Sequence, residues 1–128
     1  MKKFILSAVF ISSMFAAFLP NKTYNCTTLG VSFKDKNQTV NIPNNDKTKE
    51  QLHKVLKNLY SISFKTNGKT LKIKAGETND TMAYVKKFKS LDVYTTKDHQ
   101  VFLFLDSNHT QAGLNIPAQK TMIFYQCK

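Results

Sequence analysis

The chain has 128 residues, 19 of them basic and 8 acidic; every basic residue is lysine, and arginine and tryptophan are absent. That length suits one domain with a sizeable core, and a 41% hydrophobic content is too high for a disordered tail. Two cysteines exclude a disulfide-dense miniprotein and a cysteine-based structural zinc site, and no stretch reaches the ~20 apolar residues of a full helical span.

Met1-Lys2-Lys3 is a basic leader, followed by an apolar run from Phe4 to Leu19 and then polar Asn21-Lys22-Thr23. This is the layout of a secretory signal peptide. It divides the chain into a signal over 1–20 and one disulfide-closed β domain over 21–128, exported to the periplasm. Ala17 suits the last position before cleavage, but Phe15 stands where a small residue is expected, so the cut is not defined and an uncleaved anchor is the alternative. Loss of Lys2 and Lys3 leaves 17 lysines against 8 acids, a formal charge of +9. In an oxidising compartment Cys26 and Cys127 should pair, two free thiols being the alternative. The bridge would close a loop of about 100 residues, worth ~4.7 kcal/mol in the chain-entropy model.

The mature chain reads as mostly β. Tyr24 to Phe33 carries two strand-like pieces broken at Gly30, and Asp35-Lys36-Asn37 turns the chain into Thr39–Ile42, which stops at Pro43. A helix follows over about 47–59, with Asp46 as N-cap and Glu50 in its first turn. Leu52, Val55, Leu56 and Leu59 form one apolar stripe that should cover a sheet, while Lys47, Lys54, Lys57 and Asn58 face away. Ser61–Lys65 and Thr70–Lys74 alternate polar and apolar around Asn67-Gly68, a strong hairpin signal. Further strands read at Met82–Phe88, Leu91–Thr95, Val101–Leu105 and Thr121–Cys127. Val101–Leu105 is apolar on both faces and should be a central, doubly covered strand. The expected fold is an antiparallel β-barrel or sandwich of about 7–8 short strands with one amphipathic helix.

Tyr24-Asn25-Cys26, Val31-Ser32-Phe33 and the closing Tyr125-Gln126-Cys127-Lys128 resemble the framing of bacterial periplasmic inhibitors of c-type lysozyme. That resemblance implies a small β-barrel whose terminal strands are tied by a disulfide. In that family a Ser-Gly loop with a nearby basic residue and Tyr carries inhibition; here the nearest stretch, Asn67-Gly68-Lys69-Thr70, lacks the Ser and the Tyr. The helix and the +9 charge are further departures, so the resemblance carries architecture and no inhibitory residue.

Catalytic patterns are missing. His53, His99 and His109 have no ligand spacing, and the chain holds no HExxH, no G-x-S-x-G and no Gly-rich phosphate loop. The reading is a non-enzyme without metal or cofactor. Lys65, Lys69, Lys72 and Lys74 on the hairpin, with Lys86, Lys87 and Lys89 on the next strand, can form one basic face. Such a face attracts anionic polymers by salt-screened electrostatics. Without arginine there is no bidentate fork for phosphate or guanine, and export removes the protein from cytosolic nucleic acid. Anionic envelope glycan or lipid headgroups are the natural partners, solubility and strand-edge protection being the plainer explanation. A small-ligand carrier with an apolar barrel interior is a further alternative.

Five N-x-T triplets occur, and three carry an acid two residues earlier: Asp35-x-Asn37-x-Thr39, Glu77-x-Asn79-x-Thr81 and Asp106-x-Asn108-x-Thr110. The extended pattern resembles the acceptor sequence of the bacterial periplasmic N-glycosylation system of some Gram-negative bacteria. Composition alone predicts ~0.3 such acid coincidences among five triplets, so Asn37, Asn79 and Asn108 are read as glycan acceptors in turns between strands. The competing explanation is that Asp, Asn and Thr all favour turns.

Overall fold

The computed structural model describes residues 18–128, so the assigned signal segment lies, up to residue 17, outside the described residues. The described residues form nine strands in one antiparallel sheet. They are β1 (Tyr24–Asp35), β2 (Gln38–Pro43), β3 (Ser61–Thr66), β4 (Thr70–Ala75), β5 (Thr78–Phe88), β6 (Leu91–Thr96), β7 (Phe102–Asp106), β8 (Gln111–Ile116) and β9 (Thr121–Cys127). Strands β3 to β9 pair in sequence order, and β9 returns to β1, so eight strands close a barrel and β2 is an extra strand on β1. Closure removes the free edges that an open sheet would leave.

Closure depends on β1 changing neighbours. Its first half, Tyr24 to Thr27, pairs with β3, and its second half, Gly30 to Asp35, pairs with β2. Its other edge follows β9 from Cys26 to Phe33, with an irregularity between Thr28 and Gly30. The two strand-like pieces expected before Phe33 are therefore one strand carrying a bulge. The buried Thr28 hydroxyl holds the bulge by accepting the Gly30 N–H at 3.0 Å and donating to the Phe124 carbonyl at 2.9 Å.

Alternation sorts each strand into inward and outward positions. Leu71, Met82, Leu103, Ile123 and Tyr125 are at most 1% exposed and fill the interior. Cys26 and Cys127 stand directly opposite each other and are bonded, which ties the first barrel strand to the last. Their Cα atoms are 4.0 Å apart, shorter than the usual ~4.4–6.8 Å. They occupy a non-hydrogen-bonded pair, flanked by the Asn25–Lys128 pair that exchanges both backbone bonds, and such pairs bring Cα atoms closest.

Three local expectations are corrected. The helix α1 is Lys49–Leu56, followed by a short 3-10 turn over Lys57–Leu59, and so is shorter than the 47–59 read from the pattern. Thr48, not Asp46, is its N-cap, because the Asn45 side-chain oxygen accepts the N–H groups of Lys47 and Thr48 at 2.9 and 3.1 Å and shapes the entry. Leu52 and Leu56 enter the core, but Val55 is 54% exposed, so the stripe is narrower than four residues. Second, Gln111–Ile116 is a strand that the Gly113-Asn115 pattern concealed. Third, β7 is not doubly covered: a closed barrel has one layer, and Phe102 and Phe104 lie half-buried on its outside.

Candidate functional site

The β3–β4 hairpin forms as its sequence requires, with Gly68 at φ 97° and the Asn67 side-chain oxygen accepting the N–H groups of Lys69 and Thr70 at 2.9 and 2.8 Å. The turn sets the register, and the register sets the site. Lys65 stands opposite Lys72, which stands opposite Thr81; Ser63 stands opposite Lys74, which stands opposite Asn79. Directly opposed residues share a face, so Lys65, Lys72 and Lys74 project together from the outside of β3–β5. With Thr23, Ser63, Asn79, Asp80 and Thr81 they border a cleft of about 370 Å³.

Like charges directly opposed across a strand pair destabilise it. Among the described residues the lysine salt bridge is Lys87 to Asp92 at 3.4 Å, and no carboxylate pairs with Lys65, Lys72 or Lys74. Asp80, the acid bordering the cleft, has its carboxylate accepting the Thr81 N–H at 2.8 Å.

The remaining lysines form a second group. Lys69 is exposed at the β3–β4 turn, and its carbonyl accepts the Tyr84 N–H at 2.8 Å. Beyond this point β5 has no β4 partner and continues with β6 alone: Lys86 opposite Val93, Lys87 opposite Asp92, Phe88 opposite Leu91. The seven lysines thus fall into a β3–β4 set and a β5–β6 set, joined through Lys69. Lys86 and Lys89 hold their ammonium groups 5.8 and 5.5 Å from the centre of the Phe88 ring.

The three acceptor candidates differ in setting, although all three asparagines are exposed. Asn37 lies in the β1–β2 turn with φ 68°, and Asn108 lies in the β7–β8 turn, its N–H bonded to Asp106 at 3.1 Å. Asn79 is not between strands. It is the second residue of β5, which begins four residues before the expected Met82 because Thr78 to Thr81 continue the pairing with β4.

The histidines stay apart. His53 stacks on Tyr60 with ring centres 3.6 Å apart, His99 sits in the β6–β7 turn, and the His109 Nδ1 is 2.9 Å from Asp106. Among the described residues no three His, Cys, Asp or Glu side chains gather as a metal ion requires. In the β6–β7 turn, the Thr96 hydroxyl and the Gln100 N–H, at 2.7 and 3.1 Å, hold the Asp98 carboxyl below its ordinary range. Burial raises Tyr125, whose hydroxyl donates to the Leu59 carbonyl at 2.6 Å. Burial also raises Tyr94, helped by the charges of Asp92 and Tyr84 and opposed by the hydrogen bond to Thr66.

No protein-family model matches the chain, and no curated protein or solved structure matches it significantly. The fold and the surface chemistry therefore stand as the basis for a functional reading.

Sequence reasoning did not find the outer surface of β6–β9. Phe104, Gly113 and Phe124 face outward in one row across three strands, beside the 4% exposed Val93 of β6, and Phe124 is 44% exposed. None of β6 to β9 contains a lysine. The signal was present in the two-faced apolar run of β7 and the alternation of β9, but only closure shows which half of each points to solvent.

Proposed function

We propose that this chain is an exported, periplasmic, non-catalytic protein that binds anionic groups of the cell envelope through the outer lysines of β3–β5. The observation that carries the reading is the Lys65–Lys72 pair, directly opposed, flanked by Lys74 and without a carboxylate partner among the described residues. A sheet built only for stability gains nothing from that placement, whereas a phosphate or carboxylate between the two ammonium groups relieves their repulsion. The Cys26–Cys127 bond accords with an oxidising compartment. Asn37, Asn79 and Asn108 are proposed as acceptors of N-linked glycan in a host with a periplasmic transferase.

Heparin and lipopolysaccharide columns test this reading. The protein should be retained at low ionic strength and elute as salt rises, and serine at Lys65, Lys72 and Lys74 should move elution to clearly lower salt. Retention unchanged by the triple substitution would remove the site.

A second reading, a lysozyme-inhibitor-like protein, is favoured by the barrel whose first and last strands are tied by a disulfide. The Tyr94 hydroxyl reaches the Gly68 carbonyl at 3.2 Å, but the residue is 3% exposed and is not presented to a partner. A stoichiometric, nanomolar block of a c-type muramidase would favour it over polyanion binding. The carrier alternative gains no support, because Phe64, Leu71, Leu103 and Tyr125 occupy the barrel interior.

A further inference from the structure

The β5–β6 hairpin has a composition at odds with its exposure. Val85 and Phe88 are 46% and 45% exposed, on the stretch of β5 that continues past β4. Lys86, Lys87 and Lys89 surround them, so five consecutive residues hold two exposed apolar side chains and three cations. Lys89 occupies the turn with φ 57°, a conformation that Asn or Gly adopts more readily, which places an ammonium group at the tip. Lys86 and Lys89 both lie close enough to Phe88 for cation–π contact, so their stems run beside the ring. Beside this tip, Leu91, Phe104, Met122 and Phe124 line an outer depression of about 210 Å³.

Protection of the free β5 edge accounts for the lysines. It does not account for Phe88 and Val85, which an edge-protecting design would replace with polar residues. An exposed ring among long cationic side chains suits one surroundings in particular. At a bilayer interface, the ring enters the acyl boundary while the lysine stems lie along it and their charges reach the phosphates.

We propose that the β5–β6 hairpin docks on an anionic phospholipid bilayer, with Phe88 and Val85 entering the interface and Lys86 and Lys89 on the headgroup phosphates. This rests on the anion-binding reading of the lysine surface and names its partner as a membrane surface. Lys87 is partly neutralised by Asp92 at 3.4 Å and contributes less.

The absence of tryptophan makes the test direct, because Phe88→Trp introduces a single reporter at an exposed position. The barrel closes within Tyr24–Cys127, so a chain beginning at Phe18 keeps every described strand and the disulfide while omitting most of the apolar leader. Phosphatidylglycerol-rich vesicles should bind it at low salt, blue-shift the emission of Trp at position 88 and expose it to quenching by brominated acyl chains; phosphatidylcholine vesicles should not. Lys86→Ser with Lys89→Ser should weaken partitioning about 30-fold, and Phe88→Ser about tenfold. Vesicle binding that leaves the Trp emission water-like, with Phe88→Ser binding unchanged, overturns the hairpin proposal and leaves the lysine reading standing. Heparin binding without vesicle binding does the same and assigns the lysines to a glycan. Failure to bind either overturns both.

Discussion

Gly30 sits where three strands meet, and its φ of 149° lies in a region that side chains rarely adopt. A Cβ there would lie 2.6 Å from the Ile42 carbonyl oxygen and 3.0 Å from the Pro43 Cα, both backbone atoms. Gly30→Ala should therefore cost about 2–4 kcal/mol, read as a lower urea midpoint, because it combines strain with a clash that cannot rotate away. A midpoint close to that of the unsubstituted protein would show that β2 moves aside freely. Asp98 provides a second check by titration. Its two hydrogen bonds stabilise the ionised form, so its folded pKa lies below its unfolded value. The stabilisation is complete above the unfolded pKa and is lost as pH falls through the folded one. A carboxyl-resonance titration should place Asp98 below the ordinary 3.8, and Thr96→Ala should raise it; a midpoint at or above 3.8 would remove the Thr96 and Gln100 bonds from the turn.

The three sequons predict different outcomes because they lie on different elements. Asn37 and Asn108 are in turns, whereas the backbone of Asn79 is laddered to Lys74 in β4. A transferase acting after folding should modify Asn37 and Asn108 and leave Asn79 largely free, as site-resolved mass spectrometry of native protein would report. Full occupancy of Asn79 would mean transfer before β5 docks, and the glycan would then cover the lysine cleft. This difference was not legible in the sequence, where Glu77 to Thr81 is as rich in turn formers as Asp106 to Thr110. Strand extent depends on register with a neighbour, and β5 extends because β4 offers partners down to Ala75. The β3–β4 hairpin was legible, since Asn67-Gly68 and the flanking alternation agree. β8 was not: Ala112 and Leu114 alternate inward, but Gly113 and Asn115 at the outward positions read as a turn. The lysines of β3 and β4 were legible as an outward set because alternation alone assigns them. The unpaired end of β5, with Val85 and Phe88, was visible only after the registers of β4 and β6 were known.

At the scale of the whole molecule, one covalent bond spans a separation of 101 residues and encloses nearly all of the barrel. Replacing both cysteines by alanine should lower unfolding free energy by about 2–5 kcal/mol, measured by denaturant titration of the two proteins side by side. A loss below about 0.5 kcal/mol would mean that the β1–β9 ladder already constrains the unfolded ensemble. The charge distribution is also a property of the whole: apart from Lys34 on β1, the strand lysines lie on β3–β5, while the outward Phe104 and Phe124 lie on the lysine-free strands β6–β9. The molecule consequently presents different chemistry on different sides of one barrel.

The position of the disulfide within its ladder has a mechanical consequence. β1 and β9 run antiparallel, and Cys26–Cys127 lies one pair inside Asn25–Lys128, the outermost bonded pair of their ladder. A force drawing those ends apart loads the ladder in the peeling direction, in which hydrogen bonds break one pair at a time. With the bond intact the load stops at the sulfurs and never reaches the Thr27–Gln126 pair behind them. Tethered by residue 23 and residue 128, the oxidised protein should yield only its short tails and the Asn25–Lys128 pair, whereas the reduced protein should peel open at low force, pair after pair, toward Phe33.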